Sequence, residues 1–237
     1  MRKLKKAFSL ALALAMCLGL MAVPTVALNP GEEWVGDFVV NGDTLVGYYG
    51  DGGAITIPSG VKSIGGFRGN TSITSVTIPD GVTSIQLGAF QNCTNLTSVT
   101  MPSSITEIGG WAFAGCTNLT GVTIPNGVIN ISQEAFRDCK SLTSITIPSS
   151  VTYLGNSVFH RCTGLKSATV STTYSENNNM FAECTGLTSV TLPDGMERIG
   201  ADMFSGCTSL TSVNIPSSVI KIDLSAFRHC ESLTNVN

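Results

Sequence analysis

The sequence has little charge, few aromatic side chains and only two histidines. Charged residues make up 12% of its 237 residues and aromatic residues 7%. No two cysteines have the C-x-x-C spacing of a zinc or redox site. No glycine-rich phosphate loop follows a strand and opens a helix. His160 and His229 stand three repeat units apart, too far to act together. These absences argue against an enzyme, a metal site and a bound cofactor.

The N-terminus has the pattern of a secretory signal peptide. Four basic residues within the first six precede an apolar run over 7–23, and small residues follow up to Ala27. We therefore predict a signal peptide over 1–27, cleaved after Ala27, and a secreted or cell-surface protein. The apolar run is short for a membrane span, so stable membrane insertion is not expected. The remaining chain has nine Lys and Arg against sixteen Asp and Glu, a net charge of −7, which gives no electrostatic reason to bind nucleic acid.

Phenylalanine recurs at a fixed interval through most of the chain. Successive members of this column are 22 or 23 residues apart: Phe67, Phe90, Phe113, Phe136, Phe159, Phe181, Phe204 and Phe227. A period in the twenties is typical of a solenoid, in which each unit buries its apolar face against its neighbours. The sequence thus predicts about eight repeats of 22–23 residues.

Cysteine follows three residues after phenylalanine in seven of the eight units. The column is Cys93, Cys116, Cys139, Cys162, Cys184, Cys207 and Cys230. Side chains stacked in a column point the same way, whereas a disulfide needs two Cβ atoms turned towards each other. We therefore predict buried free thiols.

Each unit predicts one clear strand and a less regular second half. Val99 and Met101 alternate with polar residues, which is strand periodicity with one buried face, and Pro102 ends the strand. The second half, as in residues 82–90, predicts either a second short strand or an irregular turn, with little helix. We expect the first strands of successive units to pair in parallel as one long sheet.

Residues 28–57 lack the repeat and are predicted to form an N-terminal cap with a β-hairpin. Two apolar runs flank Asn41-Gly42, which favours a type I′ turn. Trp34 is expected to cover the first repeat unit, or rung, of the array. The array, residues 58–237, ends in the sequence without a C-terminal cap, which predicts either a fragment of a larger protein or end-to-end self-association.

The repeat resembles a known family. The pattern Leu-x-x-Val-x-Ile-Pro-x-x-Val-x-x-Ile-Gly-x-x-Ala-Phe-x-x-Cys is similar to the BspA-like, treponemal-type leucine-rich repeat of bacterial and some protist surface proteins. The likeness covers residues from about 55 to 237, and the lead-in over 42–58 is similar too. It implies a leucine-rich-repeat solenoid with a parallel β-sheet on its concave face. It also implies export and a role in adhesion or protein binding.

One unit departs from the repeat. Ser171 replaces the usual proline, and the following residues, including Tyr174, Glu176 and Asn177, lack the Val-x-x-Ile-Gly pattern. One interpretation is a drifted repeat that forms a polar loop. The other is a local contact site that presents Tyr174 and Glu176. A single carboxylate is thin support for a calcium site.

The outward strand positions are the remaining candidates for ligand binding. They form a threonine column beside a serine column, with one nearby charge at Lys166. The column is Thr77, Thr100, Thr123, Thr146, Thr169, Thr191 and Asn214. Such a uniform face suits weak, multivalent binding of an extracellular protein or glycan. The alternatives are a structural spacer, for which threonine is simply a good exposed strand residue, and, as a minor one, a Ser-x-Thr ladder that orders water or ice.

Overall fold

The computed structural model describes residues 27–174 and 178–236. The chain divides into two units, Met1–Glu32 and Glu33–Asn237, and the repeat array lies in the second. The predicted signal peptide, except Ala27, and the candidate residues Glu176 and Asn177 lie outside the described residues. In the described ranges, no helix has the length and apolar character needed to span a bilayer.

The described ranges contain nineteen strands and no helix. The first ten, in chain order, are β1 (Glu32–Val35), β2 (Phe38–Asn41), β3 (Thr44–Tyr48), β4 (Gly53–Thr56), β5 (Ser63–Ile64), β6 (Ile73–Thr77), β7 (Ser84–Ile85), β8 (Ser98–Thr100), β9 (Glu107–Ile108) and β10 (Gly121–Val122). The others are β11 (Asn130–Ile131), β12 (Ser144–Ile147), β13 (Tyr153–Leu154), β14 (Ser167–Val170), β15 (Ser189–Thr191), β16 (Arg198–Ile199), β17 (Ser212–Val213), β18 (Lys221–Ile222) and β19 (Asn235–Val236).

Successive units pair in parallel through two series of strands. The first strands of the units are β4, β6, β8, β10, β12, β14, β15, β17 and β19. The second strands are β5, β7, β9, β11, β13, β16 and β18. Pairing follows the sequence period, with Thr77 opposite Thr100 in one series and Ile85 opposite Ile108 in the other. The predicted solenoid of about eight turns is confirmed, and the second half of most units is a second short strand.

The prediction of one long sheet was wrong, because both ladders are interrupted. The first strands form separate sheets of four (β4 to β10), three (β12, β14, β15) and two strands (β17, β19). The first break follows β10, where Gly121 stands in the serine column. Glycine weakens a strand because it has no side chain to pack and more backbone freedom to lose.

The second ladder breaks after β13, at the unit that departs from the repeat. Thr172 is 2% exposed, and its hydroxyl takes the part that Ser150 plays in the preceding unit, where the hydroxyl donates to the Val128 carbonyl. The Thr172 hydroxyl donates to the Val151 carbonyl at 2.6 Å and accepts from the Tyr174 amide at 3.1 Å. These bonds satisfy the buried hydroxyl, and the described part of this unit has no second strand.

The phenylalanine column is the buried spine of the array. Consecutive rings lie 4.9–5.8 Å apart between centroids and within 13° of parallel. The seven rings from Phe67 to Phe204 are completely buried. Around this column the turns form a third ladder, in which the Phe90 amide donates to the Ala112 carbonyl of the next unit at 2.7 Å. At the start of the first strands the amides donate the other way, as from Thr97 to Thr74 of the preceding unit. Just after the strand, the Ile78 amide donates to Thr100 of the following unit.

The seven described cysteines are free, as predicted. Each thiol donates to the carbonyl of the phenylalanine in the preceding unit, at 3.0–3.3 Å, as from Cys93 to Phe67. Burial raises the pKa of the Cys93 thiol to about 12 and that of the other shifted thiols in the same direction. These six thiols are therefore neutral at pH 7.

The hairpin before the array is present, but its turn differs from the prediction. Asn41 pairs with Thr44, so Gly42 and Asp43 form the turn. Only Gly42 has a positive φ, 64°, which matches a type II′ turn instead of type I′. Trp34 packs against Tyr49 at 5.3 Å and not on the spine. The aromatic residue stacked on Phe67 is Tyr48, at 5.7 Å.

The spine model predicts a large loss of stability for Phe113→Ala. The ring is fully buried between two others, so its removal leaves a cavity and should cost about 3–5 kcal/mol in urea unfolding. The control is Leu87→Ala, because Leu87 is 71% exposed; this change should stay within about 0.5 kcal/mol. Equal losses for the two variants would contradict the model.

The cysteine column predicts a sharp difference between native and denatured thiol counts. In a chain of residues 28–237, a colorimetric thiol reagent should find all seven cysteines in guanidinium chloride. In the native protein at pH 8, Cys230 should react first because it alone is partly exposed, and the other six should react slowly. Fewer than seven thiols after denaturation without reductant would reveal disulfides and refute the stacked-thiol arrangement.

Candidate ligand-binding face

The predicted threonine column lies on one exposed face of the array. We call the exposed side chains of the first strands the first-strand face. Its column consists of Thr77, Thr100, Thr123, Thr146, Thr169, Thr191 and Asn214, all of which are exposed. Direct cross-strand pairing is seen between Thr77 and Thr100 and from Thr146 through Thr169 to Thr191. Neighbouring strands in these runs are about 4.8 Å apart, so the threonines follow one another at the strand spacing.

Lys166 interrupts a second threonine column at the start of the first strands. In that column the Thr97 hydroxyl donates to the Thr74 carbonyl at 2.9 Å, and Thr188 bonds to the Lys166 carbonyl at 3.0 Å. The Lys166 backbone keeps the ladder bond to Thr143, at 2.8 Å. Its side chain therefore adds an exposed ammonium to the first-strand face without disturbing the rung.

Tyr174 does not project freely. It is half-buried, packs against the core, and its ring lies 5.9 Å from that of Tyr153. Tyr153 is 48% exposed, and Ile129 beside it is 50% exposed. The structure therefore places Tyr174 in a small aromatic patch near the break in the second ladder, away from the threonine column.

A cleft of about 400 Å³ opens where the ladder of first strands is interrupted between β10 and β12. It brings together Thr123 and Thr146, two of the predicted site residues. The full lining is Val122, Thr123, Ile124, Asn126, Ser144, Ile145, Thr146, Pro148, Ser149 and Ser171. The serine that replaces proline at 171 is thus part of the wall. Hydroxyl and amide side chains supply its polar groups, and none of the ten residues is charged at neutral pH.

The break also changes the local exposure and hydrogen bonding of the strands. Val122 is half-buried, whereas its counterparts Val76 and Val99 are buried. At the start of the strands the Thr143 amide still donates to the Thr120 carbonyl, at 3.3 Å. Beyond that bond, no described residues of β10 and β12 form a backbone ladder pair. The two strands are therefore joined where they begin and unpaired along the cleft.

A polar cluster lies on the turns around the phenylalanine column, which we call the turn face, and it was not predicted from the sequence. It consists of Trp111, Glu134, Arg137, Asp138, His160 and Arg161. The Trp111 indole donates to Glu134 at 3.0 Å, and Arg137 contacts the same carboxylate oxygen at 2.7 Å. Asp138 then links Arg137 and Arg161, at 3.3 and 3.4 Å. These contacts tie three successive units together along the turns.

Backbone conformation makes this cluster unusual. Two positions flanking each phenylalanine commonly have positive φ, where glycine, asparagine and aspartate are favoured. Trp111 and Glu134 instead take this conformation at φ 53° and 54°. The signal in the sequence was the replacement of glycine and asparagine by bulky or charged residues at one repeat position. Seeing that these residues meet required knowing which turn positions stack.

The cluster shifts two pKa values downward. Burial would raise the pKa of Glu134, but hydrogen bonds from Arg137 and Trp111 outweigh it and lower the pKa. Burial lowers the pKa of His160, and the nearby Arg137 and Arg161 guanidinium groups add to this effect against Asp138 and Glu183. The His160 Nδ1 atom is buried and has no hydrogen-bond partner among the described residues. His160 is therefore neutral at pH 7.

In the described ranges, no group of three or more His, Cys, Asp or Glu side chains is placed to hold a metal ion. The turn-face cluster joins its carboxylates to guanidinium and indole groups, which use the oxygens that a cation would need. The polar chemistry on the two faces is thus different. The first-strand face is hydroxylated and carries the ammonium of Lys166, and the turn face carries paired charges.

His160 predicts an acid-sensitive part of the stability. Its pKa is lower in the folded than in the unfolded chain, so unfolding takes up a proton below the unfolded value of about 6.5. Stability from this group is complete above that pH and falls as pH decreases towards the folded pKa. Urea unfolding at pH 7.5 and 5.5 should show a smaller acid-induced loss for His160→Gln than for the wild type. The same change at the exposed His229 is the control, and an equal effect there would contradict the assignment.

The chain matches the family model described as a BspA type leucine rich repeat region, in six copies over residues 63–177 and 175–237. A comparison with curated proteins finds no match. Among solved structures, the leucine-rich repeat protein of T. pallidum is 28% identical with a TM-score of 0.64, over 73% of this chain and 83% of that one.

A leucine-rich repeat protein from Bacteroides ovatus ATCC 8483 is also 28% identical, with a TM-score of 0.63. That match covers 91% of this chain, which spans 53% of the length of the Bacteroides protein. A leucine rich cell surface protein from Faecalibacterium prausnitzii A2-165 is 22% identical over 88% of this chain, with a TM-score of 0.38, too distant a likeness to support an inference.

These matches agree with the stacked phenylalanine and cysteine columns and the parallel strand ladders. The family model covers well over half of the chain, including the irregular unit. The chain belongs to the BspA-type leucine-rich repeat family.

Proposed function

We propose that this chain is an exported, noncatalytic binding protein that acts at the cell surface or outside the cell. Its ligand is an extracellular protein or glycan, and the first-strand face binds it. The observation that carries this proposal is the cleft between β10 and β12, where Thr123 and Thr146 of the exposed column line a concave site of about 400 Å³. Sites of a few hundred Å³ with several convergent polar groups are typical of ligand binding.

The chemistry of the face supports binding without catalysis. The cleft lining has no side chain that titrates near neutral pH, and its hydroxyls have no adjacent general base among the lining residues. Export is supported by the basic and apolar N-terminal sequence. The regular hydroxyl columns outside the cleft give repeated, individually weak contacts to an extended ligand.

The test is a binding assay of the purified protein against immobilised extracellular-matrix proteins and mucins, together with a glycan array. We expect saturable binding that falls at least about tenfold in Thr100→Glu/Thr146→Glu, because two buried charges in the complex would lack partners. Lys166→Ala tests whether the single ammonium of this face contributes. Tyr174 is less informative, because its ring also packs against Tyr153.

The matched control is Thr106→Glu/Thr152→Glu, which adds the same charge at exposed threonines outside the first strands. Binding should stay within about twofold of the wild type, since surface changes away from the site have small effects. Equal losses in the two double variants would remove the first-strand face as the site. No binding to any ligand of the panel would favour a structural spacer.

A further inference from the structure

We propose that the cleft between β10 and β12 binds a neutral saccharide unit. This rests on the proposed function and specifies the ligand class of the same face. The proposal depends on one arrangement of side chains, in which uncharged hydroxyl and amide groups surround a partly apolar floor. The wall is formed by Thr123, Asn126, Ser144, Thr146, Ser149 and Ser171, and the floor includes Val122 and Ile145.

The absence of charge in the lining selects the ligand class. An anionic ligand needs cationic side chains to replace its hydration, and a cationic ligand needs carboxylates, because burying an unpaired charge is costly. The cleft has neither among its ten lining residues. Hydroxyl and amide groups both donate and accept hydrogen bonds. They therefore match sugar hydroxyls, which also do both.

The amphipathic surface of a sugar ring fits the rest of the lining. A pyranose has polar hydroxyls at its edge and apolar C–H groups on its faces. Val122 is more exposed than its counterparts in other rungs, and Pro148 and Ile124 lie in the same lining. A volume of about 400 Å³ is near the lower end of small-ligand sites, which suits one or two sugar rings.

A peptide strand is a poorer fit to the opening. Inserting a strand into a ladder requires the flanking strands to separate to two spacings, about 9.6 Å. The bond from the Thr143 amide to the Thr120 carbonyl holds these rungs at one spacing where the strands begin. β10 and β12 are thus held together where they begin and unpaired beyond that point, so a new strand could not enter along the whole length of the ladder.

The test uses the full purified protein and defined soluble probes. Lactose, N-acetyllactosamine, maltotriose and the galactosyl-N-acetylgalactosamine disaccharide are the neutral set. Sialyllactose and a heparin tetrasaccharide are the anionic comparators, and an uncharged unstructured decapeptide is the peptide comparator. Saturation-transfer NMR detects binding, and calorimetry measures affinity. We expect at least one neutral saccharide to bind saturably and to be preferred over the other probes.

Two isosteric variants locate the site. Thr146→Val removes one hydroxyl from the cleft and should weaken the neutral saccharide about tenfold, the effect of leaving a sugar hydroxyl unpaired. Thr152→Val makes the same change at an exposed threonine outside the first-strand face and should leave affinity within twofold. Thermal unfolding checks that both variants retain the wild-type fold.

Three results would overturn the inference. One is saccharide binding that Thr146→Val leaves unchanged. Another is binding of only the anionic probes or only the peptide. The third is no binding of any neutral probe by a protein that still binds a partner in the matrix and mucin assay. That last result separates the inference from the proposed function, which would then stand with a different ligand.

Discussion

The stacking of each unit on its own copy is the interaction on which the structure depends. Phe90 lies between Phe67 and Phe113 at 4.9 and 5.2 Å, so a buried position must suit the same side chain on the units before and after it. A close-packed interior tolerates little change of volume. This requirement preserves the period of the buried columns. The outward positions do not pack in the interior, so their side chains can differ from unit to unit.

The backbone hydrogen bonds between units are a second constraint on the sequence. They explain why the turn around each phenylalanine and the cysteine after it recur. Turn amides such as that of Phe90 donate to the following unit, and amides at the strand starts such as that of Thr97 donate to the preceding one, so each unit is bonded to both of its neighbours. The Phe67 carbonyl accepts from the amide of Asn70 and from the thiol of Cys93. A small, weakly donating side chain suits this place, because a buried carbonyl gains a partner without the desolvation cost of a stronger polar group.

Much of the fold could be predicted because packing repeats every 23 residues. Phe113, Cys116 and Val99 are buried and Thr100 is exposed, as their columns indicate. The interruptions could not be predicted in the same way. Gly121 of β10 pairs with Ser98 on one side, but β10 does not pair with β12 on the other. Whether two adjacent strands pair depends on the packing of the whole units around them. The hairpin turn moved by one residue to Gly42 and Asp43, a choice that depends on strand register more than on local propensity.

The candidate site follows from the same division between repeated and unrepeated positions. A regular hydroxyl column presents the same group at every rung and cannot by itself distinguish one place from another. Gly121 and Ser171 break the repeat on either side of one segment, and the cleft lies between them, with Thr123 and Thr146 unchanged in type but altered in surroundings. An ordinary threonine thus becomes a candidate ligand contact through a change in its neighbours. Specificity in such an array is therefore to be sought where rung pairing fails, even when the exposed residues there look like all the others.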